Sequence, residues 1–248
     1  IATSIAQFVS AFLVLYKLTH TDQIYRLHLR KIGFDKDTLK QIIRIGLPSA
    51  CQNGVVSFSN VFVQANINAF GKIAMAGAGA YHKIDGFAIM PVMSLSMSMT
   101  TFVGQNIGAK TYDRVRKGVK VGLFLSCSVS LLLSCFIYIC APQLLSIFSD
   151  TPEVIAVGTL MMKTIVPFYV LLAISHCLSG VLRGARLTKV PMVVMISCWC
   201  ICRMTWITLT IKMFNEIQYV FMAWPVTWFL SSMILIIYYL KVHWLPTD

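Results

Sequence analysis

Acidic side chains are scarce in this sequence, with nine Asp and Glu in 248 residues against 21 Lys and Arg. Charged residues of both signs make up 12% of the chain, about half of what an average soluble domain carries. That deficit excludes a soluble globular protein with a large core, because its surface would still need polar cover. Catalytic signatures are lacking as well. There is no HExxH, no GxSxG, no phosphate-binding glycine loop and no close pair of acids inside the apolar runs. A membrane-embedded enzyme would need clustered His, Asp or Glu there, so no enzymatic role is expected.

The eight cysteines lack the setting of a disulfide or zinc framework, which belongs to small, loop-rich chains. All of them sit inside or at the edge of apolar runs. Cys198, Cys200 and Cys202 resemble a motif, but residues two apart on a helix point to opposite sides. No metal site is expected, and the thiols read as small packing groups. Ile1–Tyr16 has neither a basic n-region nor a small-residue cleavage site, so it is not a signal peptide. It reads as the end of a helix that starts upstream, and the chain as a piece of a longer protein.

What is abundant is hydrophobic sequence, 57% of the chain, and lipid is the solvent that accepts it. A membrane-spanning helix needs about 20 mostly apolar residues. Val121–Ala141 and Ile217–Leu240 meet this without a single charge. Val190–Ile211 is interrupted by Arg203, and Val154–Leu182 by Lys163 and His176. Ala88–Val103 is the apolar body of another span, extended backward through Asp85 toward Tyr81. Leu47–Phe70 is the least apolar. The fold class predicted is therefore all-α: a polytopic transmembrane bundle of six complete spans preceded by the end of another.

The net charge of +12 does not point to nucleic acid, because the cations gather in short segments between apolar runs. Lys17–Arg44, Asn106–Lys120, Arg183–Lys189 and Lys241 together hold 16 of the 21 cations. These segments alternate with loops that hold few, and Ala141–Glu153 holds none. By the positive-inside rule the basic segments and the C-terminus are cytoplasmic. The organisation expected is a helix end at 1–16, a basic cytoplasmic loop at 17–45, a six-helix bundle at 46–241 and a cytoplasmic tail at 242–248. The long basic loop suggests a further set of helices upstream.

Within Leu47–Phe70, the polar residues Asn53, Ser57, Asn60, Gln64 and Asn68 step by three or four and share one stripe of a helix. Amides in hydrocarbon need partners. The stripe therefore lines a water-filled cavity or supplies hydrogen bonds between helices. Asp85 is the one acid placed within a span. It reads either as an ion-coupling group or as the partner of Lys163 or Arg203 in a charge pair that holds helices together. Met93 and Met97, with Met90, share a face that suits adaptable apolar contacts or plain packing. Pro91, Pro167 and Pro225 should kink their spans. Arg203 and Lys163 could instead attract anionic groups, and His176 relay protons or sit in the core.

Particular stretches carry a family likeness. GLPSACQNGVVSFSNVFVQANINAFG (Gly46–Gly71) and KIDGFAIMPVMSLSMSMTTFVGQNIGAKTYDRVRKG (Lys83–Gly118) resemble the seventh and eighth helices of the multidrug and toxic compound extrusion (MATE) family. Phe102–Ala109, FVGQNIGA, is the most specific part. GVLRGARLTKVPM (Gly180–Met192) resembles the loop between helices ten and eleven, where that family more often has Gly-Asp in place of Arg186-Leu187.

The resemblance implies half of a twelve-helix exporter, with two six-helix bundles around a central cavity. It would act in the plasma membrane on cationic or amphipathic small molecules, in exchange for sodium ions or protons, with no cofactor beyond the coupling ion. Its partners would be the lipid bilayer, the substrate and an N-terminal six-helix bundle. Several family members carry a glutamate in the seventh helix; here Gln52 and Asn53 occupy that region. An alternative of the same architecture is a flippase for lipid-linked saccharides, which would want Arg and Lys in the cavity to hold pyrophosphate.

Overall fold

The computed structural model describes residues 2–23, 26–29, 33–242 and 244–245. All regular structure among them is helical. The chain divides into two compact units, Ile1–Arg44 and Ile45–Asp248.

The first unit contains α1 (Ala2–Thr19) and the start of α2 (Lys36–Asn68). Where α1 ends, the Thr19 hydroxyl donates to the Leu15 carbonyl at 2.9 Å, and the Thr19 carbonyl accepts from Arg26 Nε at 3.1 Å. Asp35 caps α2. Its carboxylate accepts the backbone N–H of Thr38 at 3.1 Å and also the Thr38 hydroxyl. These bonds hold the Asp35 carboxyl below its ordinary pKa. This cap starts the helix at Lys36, eleven residues before the expected Leu47.

The second unit continues with α3 (Lys72–Gly108), α4 (Tyr112–Ile139), α5 (Ala141–Ser146), α6 (Pro152–Ile165), α7 (Tyr169–Gly184), α8 (Lys189–Met195), α9 (Arg203–Phe214), α10 (Ile217–Phe221) and α11 (Ala223–Lys241). A 3₁₀ turn at Val166–Phe168 joins α6 to α7, and a π-helical stretch at Ile196–Cys202 joins α8 to α9.

Among the described residues, five helical stretches are long and apolar enough to cross a bilayer: Lys72–Gly108, Tyr112–Ile139, Pro152–Gly184, Lys189–Phe214 and Ile217–Lys241. The sixth expected span, α2, has the length but not the apolarity, because amides and serines recur along it. The prolines act unequally. Pro167 sits in the 3₁₀ break and Pro225 just after the α10–α11 break, whereas α3 runs through Pro91 unbroken.

Lipid tails are as apolar as leucine, so helices in a bilayer associate by close packing and hydrogen bonds rather than by hydrophobic burial. The tightest case is α3 against α7. A Cβ on Gly180 would lie 2.3 Å from the Ser96 carbonyl oxygen, and one on Gly184 2.6 Å from that of Thr100. Only glycine permits this approach. Hydrogen bonds complete the seam. Ser96 Oγ donates to the His176 carbonyl at 2.6 Å, Thr100 Oγ1 to the Gly180 carbonyl at 3.0 Å, and Arg183 Nη2 to Ser96 Oγ at 3.0 Å.

The family-like segments at the helix ends have structural work. In Phe102–Ala109 the buried Asn106 amide donates to the Phe102 carbonyl at 2.8 Å, while its Oδ1 accepts the Thr111 hydroxyl at 3.0 Å. After α7, Leu187 N–H donates to the Leu182 carbonyl at 2.8 Å and Arg186 N–H to that of Arg183 at 3.0 Å. This double closure is the Schellman helix stop, in which the inner of the two closing residues is left-handed. Arg186 holds that place at φ +63°. The glycine more often found there in the resembled family is what this backbone favours.

Candidate functional site

Within the second unit, α2, α3, α7, α8, α9 and α11, with the π stretch between α8 and α9, line a partly open cavity of about 490 Å³, a volume suited to a small organic compound. Its charged groups sit at two separate places. Asp85, on α3, accepts the hydroxyl of Tyr81 at 3.1 Å, one turn earlier on the same helix, and the hydroxyl of Tyr169 from the start of α7. The two tyrosine oxygens are 3.2 Å apart. Both rings are buried, so the carboxylate is fixed from two helices while still lining the cavity. Three oxygens from two helices, at hydrogen-bonding distance of one another, form a hard-oxygen cluster.

Arg203 opens α9, directly after the π stretch, and has no exposed surface. Its Nη1 donates to Asn60 Oδ1 at 3.1 Å and its Nη2 to Thr227 Oγ1 at 3.0 Å. The guanidinium lies 5.3 Å from the Trp199 ring centre and 5.7 Å from that of Trp224, within cation–π reach of both.

Aromatic rings supply the wall between the charged places. Trp228 stands 5.8 Å from Tyr169 and 6.4 Å from Trp199, and His176 packs edge-on to Trp199 at 5.6 Å. Trp199 is fixed at both ends. Its indole N–H donates to Ser231 Oγ at 3.0 Å, and its carbonyl accepts the Ser59 hydroxyl from α2.

A family model described as MatE matches residues 48–207, from the polar helix through the stretch that carries Arg203. The chain belongs to the MATE family. It is a multi-pass membrane protein of a transporter family. It is 26% identical over 196 residues to a probable multidrug resistance protein, YoeA, of Bacillus subtilis, covering 79% of this chain and 42% of that one. To the probable multidrug resistance protein NorM of Thermotoga maritima it is 30% identical over 206 residues, covering 80% and 43%. The chain thus spans less than half the length of these curated relatives. A crystal structure of a MATE in complex with MaL6 shares the fold, with a TM-score of 0.87 at 17% identity, over 96% of this chain and 54% of the other.

Of the expected cavity residues, Asn53, Asn60, Gln64 and Met93 line it, as do the ion-coupling candidate Asp85 and the charge-pair candidate Arg203. Ser57, Asn68, Met97 and Lys163 are not among the lining. Gln64 Nε2 donates to Asn68 Oδ1 at 2.8 Å along the outside of α2, and Met97 is 70% exposed. The expected charge pairs do not form. Among the described residues the ion pairs are Arg26–Asp22 and Arg116–Asp113. Asp85 takes tyrosine hydroxyls instead, Arg203 takes neutral acceptors, and Lys163 lies 5.9 Å from the Tyr138 ring centre. Sequence reasoning missed Gln52, His82 and the tryptophans 199, 224 and 228, all of which line the cavity. The signal for them was weak: aromatic and polar side chains scattered over four runs.

Proposed function

We propose that this chain forms one six-helix half of an efflux transporter, which exports cationic or amphipathic small molecules in exchange for sodium ions or protons. The observation that carries this reading is the cavity itself. Its wall is aromatic and amide-lined, and it contains a carboxylate held by two tyrosine hydroxyls. A flexible apolar contact, Met93, adapts to different ligands, and the tryptophan faces attract cations. Asn53 and Asn60 lie on an exposed face of α2, where a second six-helix bundle would close the chamber.

Alternating access would then be a shift of population between inward- and outward-facing states, biased in opposite senses by ion and substrate. Asp85, with Tyr81 and Tyr169, is the coupling group in this half. The basic loops and the C-terminus face the cytoplasm, by their excess of Lys and Arg, and the membrane is the plasma membrane. The lipid-linked saccharide reading is not favoured, because among the described residues Lys163 is not part of the cavity lining and Arg203 is the one Lys or Arg on it.

The test is efflux of a fluorescent cationic dye from cells that express the complete protein, with and without a sodium gradient and with the proton gradient collapsed. Efflux that follows one gradient and is lost in Asp85→Asn supports the reading and identifies the ion. Efflux that survives the substitution removes coupling from this half. No efflux under any gradient would reject the exporter.

A further inference from the structure

The cations at the start of α4 do not all face the same way. At about 100° per residue, Arg116 and Lys120 share one edge of the helix, Arg114 lies on the opposite edge and Lys117 points away from the bundle. The inward side is fixed by Val115, Val119 and Gly122, which are buried. The edge that holds Arg116 is the one turned toward α11. Arg116 is close enough to act electrostatically on the Tyr239 hydroxyl, and so is Cys177 of α7. Leu123, on the same edge, packs with Tyr239 against one apolar cluster.

Beyond Tyr239 the chain turns back. Trp244 N–H donates to the Val242 carbonyl at 2.9 Å, and the Trp244 ring centre lies 5.2 Å from that of Tyr239. Both rings pack against Val115, Val119 and Val181. Each combines an apolar body seated in the bundle with a polar group, the kind of side chain that collects at a membrane–water interface. Arg116 has one acidic partner, Asp113 at 3.4 Å, in a pair whose side chains are 64% and 89% exposed. So exposed a pair is weak. Among the described residues Lys120 is in no ion pair. Further along that edge come Cys127 and the exposed Leu131, with no charge between.

We infer that this edge of α4, with Tyr239 and Trp244, is a docking surface for an anionic phospholipid of the cytoplasmic leaflet. Its phosphate lies between Arg116 and Lys120, which stand one turn apart, about 6 Å along the axis. The guanidinium fork takes two phosphate oxygens. Lys120, a turn deeper, reaches back toward the same phosphate from the membrane side. The acyl chains run along Cys127 and Leu131. Two cations against one exposed acid leave one positive charge to be met, which suits an anionic headgroup. A choline headgroup would bring a further cation to the same place. Any basic segment near this leaflet attracts anionic lipid; the fold adds an edge where two cations, two rings and an apolar strip coincide. The inference goes beyond export and depends only on a cytoplasmic placing of this loop.

The experiment uses the complete protein that carries this chain, purified and delipidated in detergent, and reads its thermal midpoint with added lipid. Dioleoyl phosphatidylglycerol should raise the midpoint by at least about 3 °C more than dioleoyl phosphatidylcholine does. Arg116→Gln combined with Lys120→Gln should lose that difference. Arg114→Gln combined with Lys117→Gln removes the same charge from the other sides of α4 and should keep it. Trp244→Leu, which leaves every charge in place, should shrink the difference, and it serves as the second reading if a charge variant fails to fold. Inorganic phosphate at the same concentration should give no rise.

Equal loss in the two charge variants would mean diffuse attraction to a basic loop and would overturn the docking surface. So would a lipid preference that Arg116→Gln with Lys120→Gln, or Trp244→Leu, leaves untouched, or a wild type that does not distinguish the lipids. A rise with phosphate alone would replace the lipid by a free anion. No substrate or gradient enters these measurements, so dye export can fail while the lipid preference holds, and the reverse.

Discussion

The helices α3 and α7 meet twice, in opposite ways. Around Ser96–Gly104 they touch backbone to backbone, through Gly180 and Gly184, with hydroxyls donating across the gap. Around Tyr81–Asp85 they are joined by large side chains instead, with the Tyr169 hydroxyl bonded to both Asp85 and Tyr81 beside the cavity. The first place is built from the smallest side chains and the second from some of the largest. One pair of helices thus supplies both a rigid joint and one wall of a chamber, and side-chain size alone decides which.

The sharpest way to break this contrast is to enlarge the joint. Gly180→Leu should leave no monodisperse protein on size-exclusion chromatography, since even modest overpacking costs about 1–3 kcal/mol, and here the obstacle is backbone. A well-folded variant would mean that the two helices are free to separate. The reciprocal change at the open end is Asp85→Asn. It should abolish ion-driven transport, while the thermal midpoint shifts by the equivalent of no more than about 0.5–1.5 kcal/mol, because the amide oxygen still accepts a phenol. Equal damage to folding would make Asp85 a part of the scaffold.

Beside the joint, Arg186→Gly should raise stability by about 1 kcal/mol, relieving a left-handed non-glycine residue, as read by thermal denaturation. A drop would mean that the Arg186 side chain contributes more than its backbone costs. The smallest effects belong outside the chamber. Met97→Ala and Ser57→Ala should leave substrate binding unchanged, within about twofold. A clear loss at either would extend the cavity beyond its present lining.

Much of this was readable in the sequence, and the failures have a common cause. Long charge-free runs such as Val121–Ala141 announced their helices. A lone acid in a span, Asp85, stood out because a carboxylate in hydrocarbon demands a reason, and the sequence left ion coupling and a charge pair both open. The amide stripe on α2 told which side of the helix is polar, but not which of its members face the chamber: Asn53, Asn60 and Gln64 line it, while Ser57, between them, and Asn68, beyond them, do not. The partners were the invisible part. Opposite charges invited pairing of Asp85 with Lys163 or Arg203. Tyrosines 81 and 169 answer Asp85 instead, and which helices pack together is settled only by tertiary structure. Trp199, Trp224 and Trp228 converge for the same reason, from runs that look like ordinary span. Arg186 is the reverse case: its departure from glycine was visible in the sequence, and its left-handed backbone explains why glycine suits that place.

The π-helical stretch before Arg203 turns this arrangement into a matter of counting. A π segment closes its hydrogen bonds over one more residue than an α-helix does, so Ile196–Cys202 holds surplus chain that an ordinary helix would not accommodate. Removing the surplus residue would let the stretch close as an ordinary α-helix, and the helix beyond it would keep its rotation. The same loss from a regular helix would turn everything downstream by about 100°. A related sequence one residue shorter before the arginine would therefore still present the guanidinium on this face, from a tighter backbone.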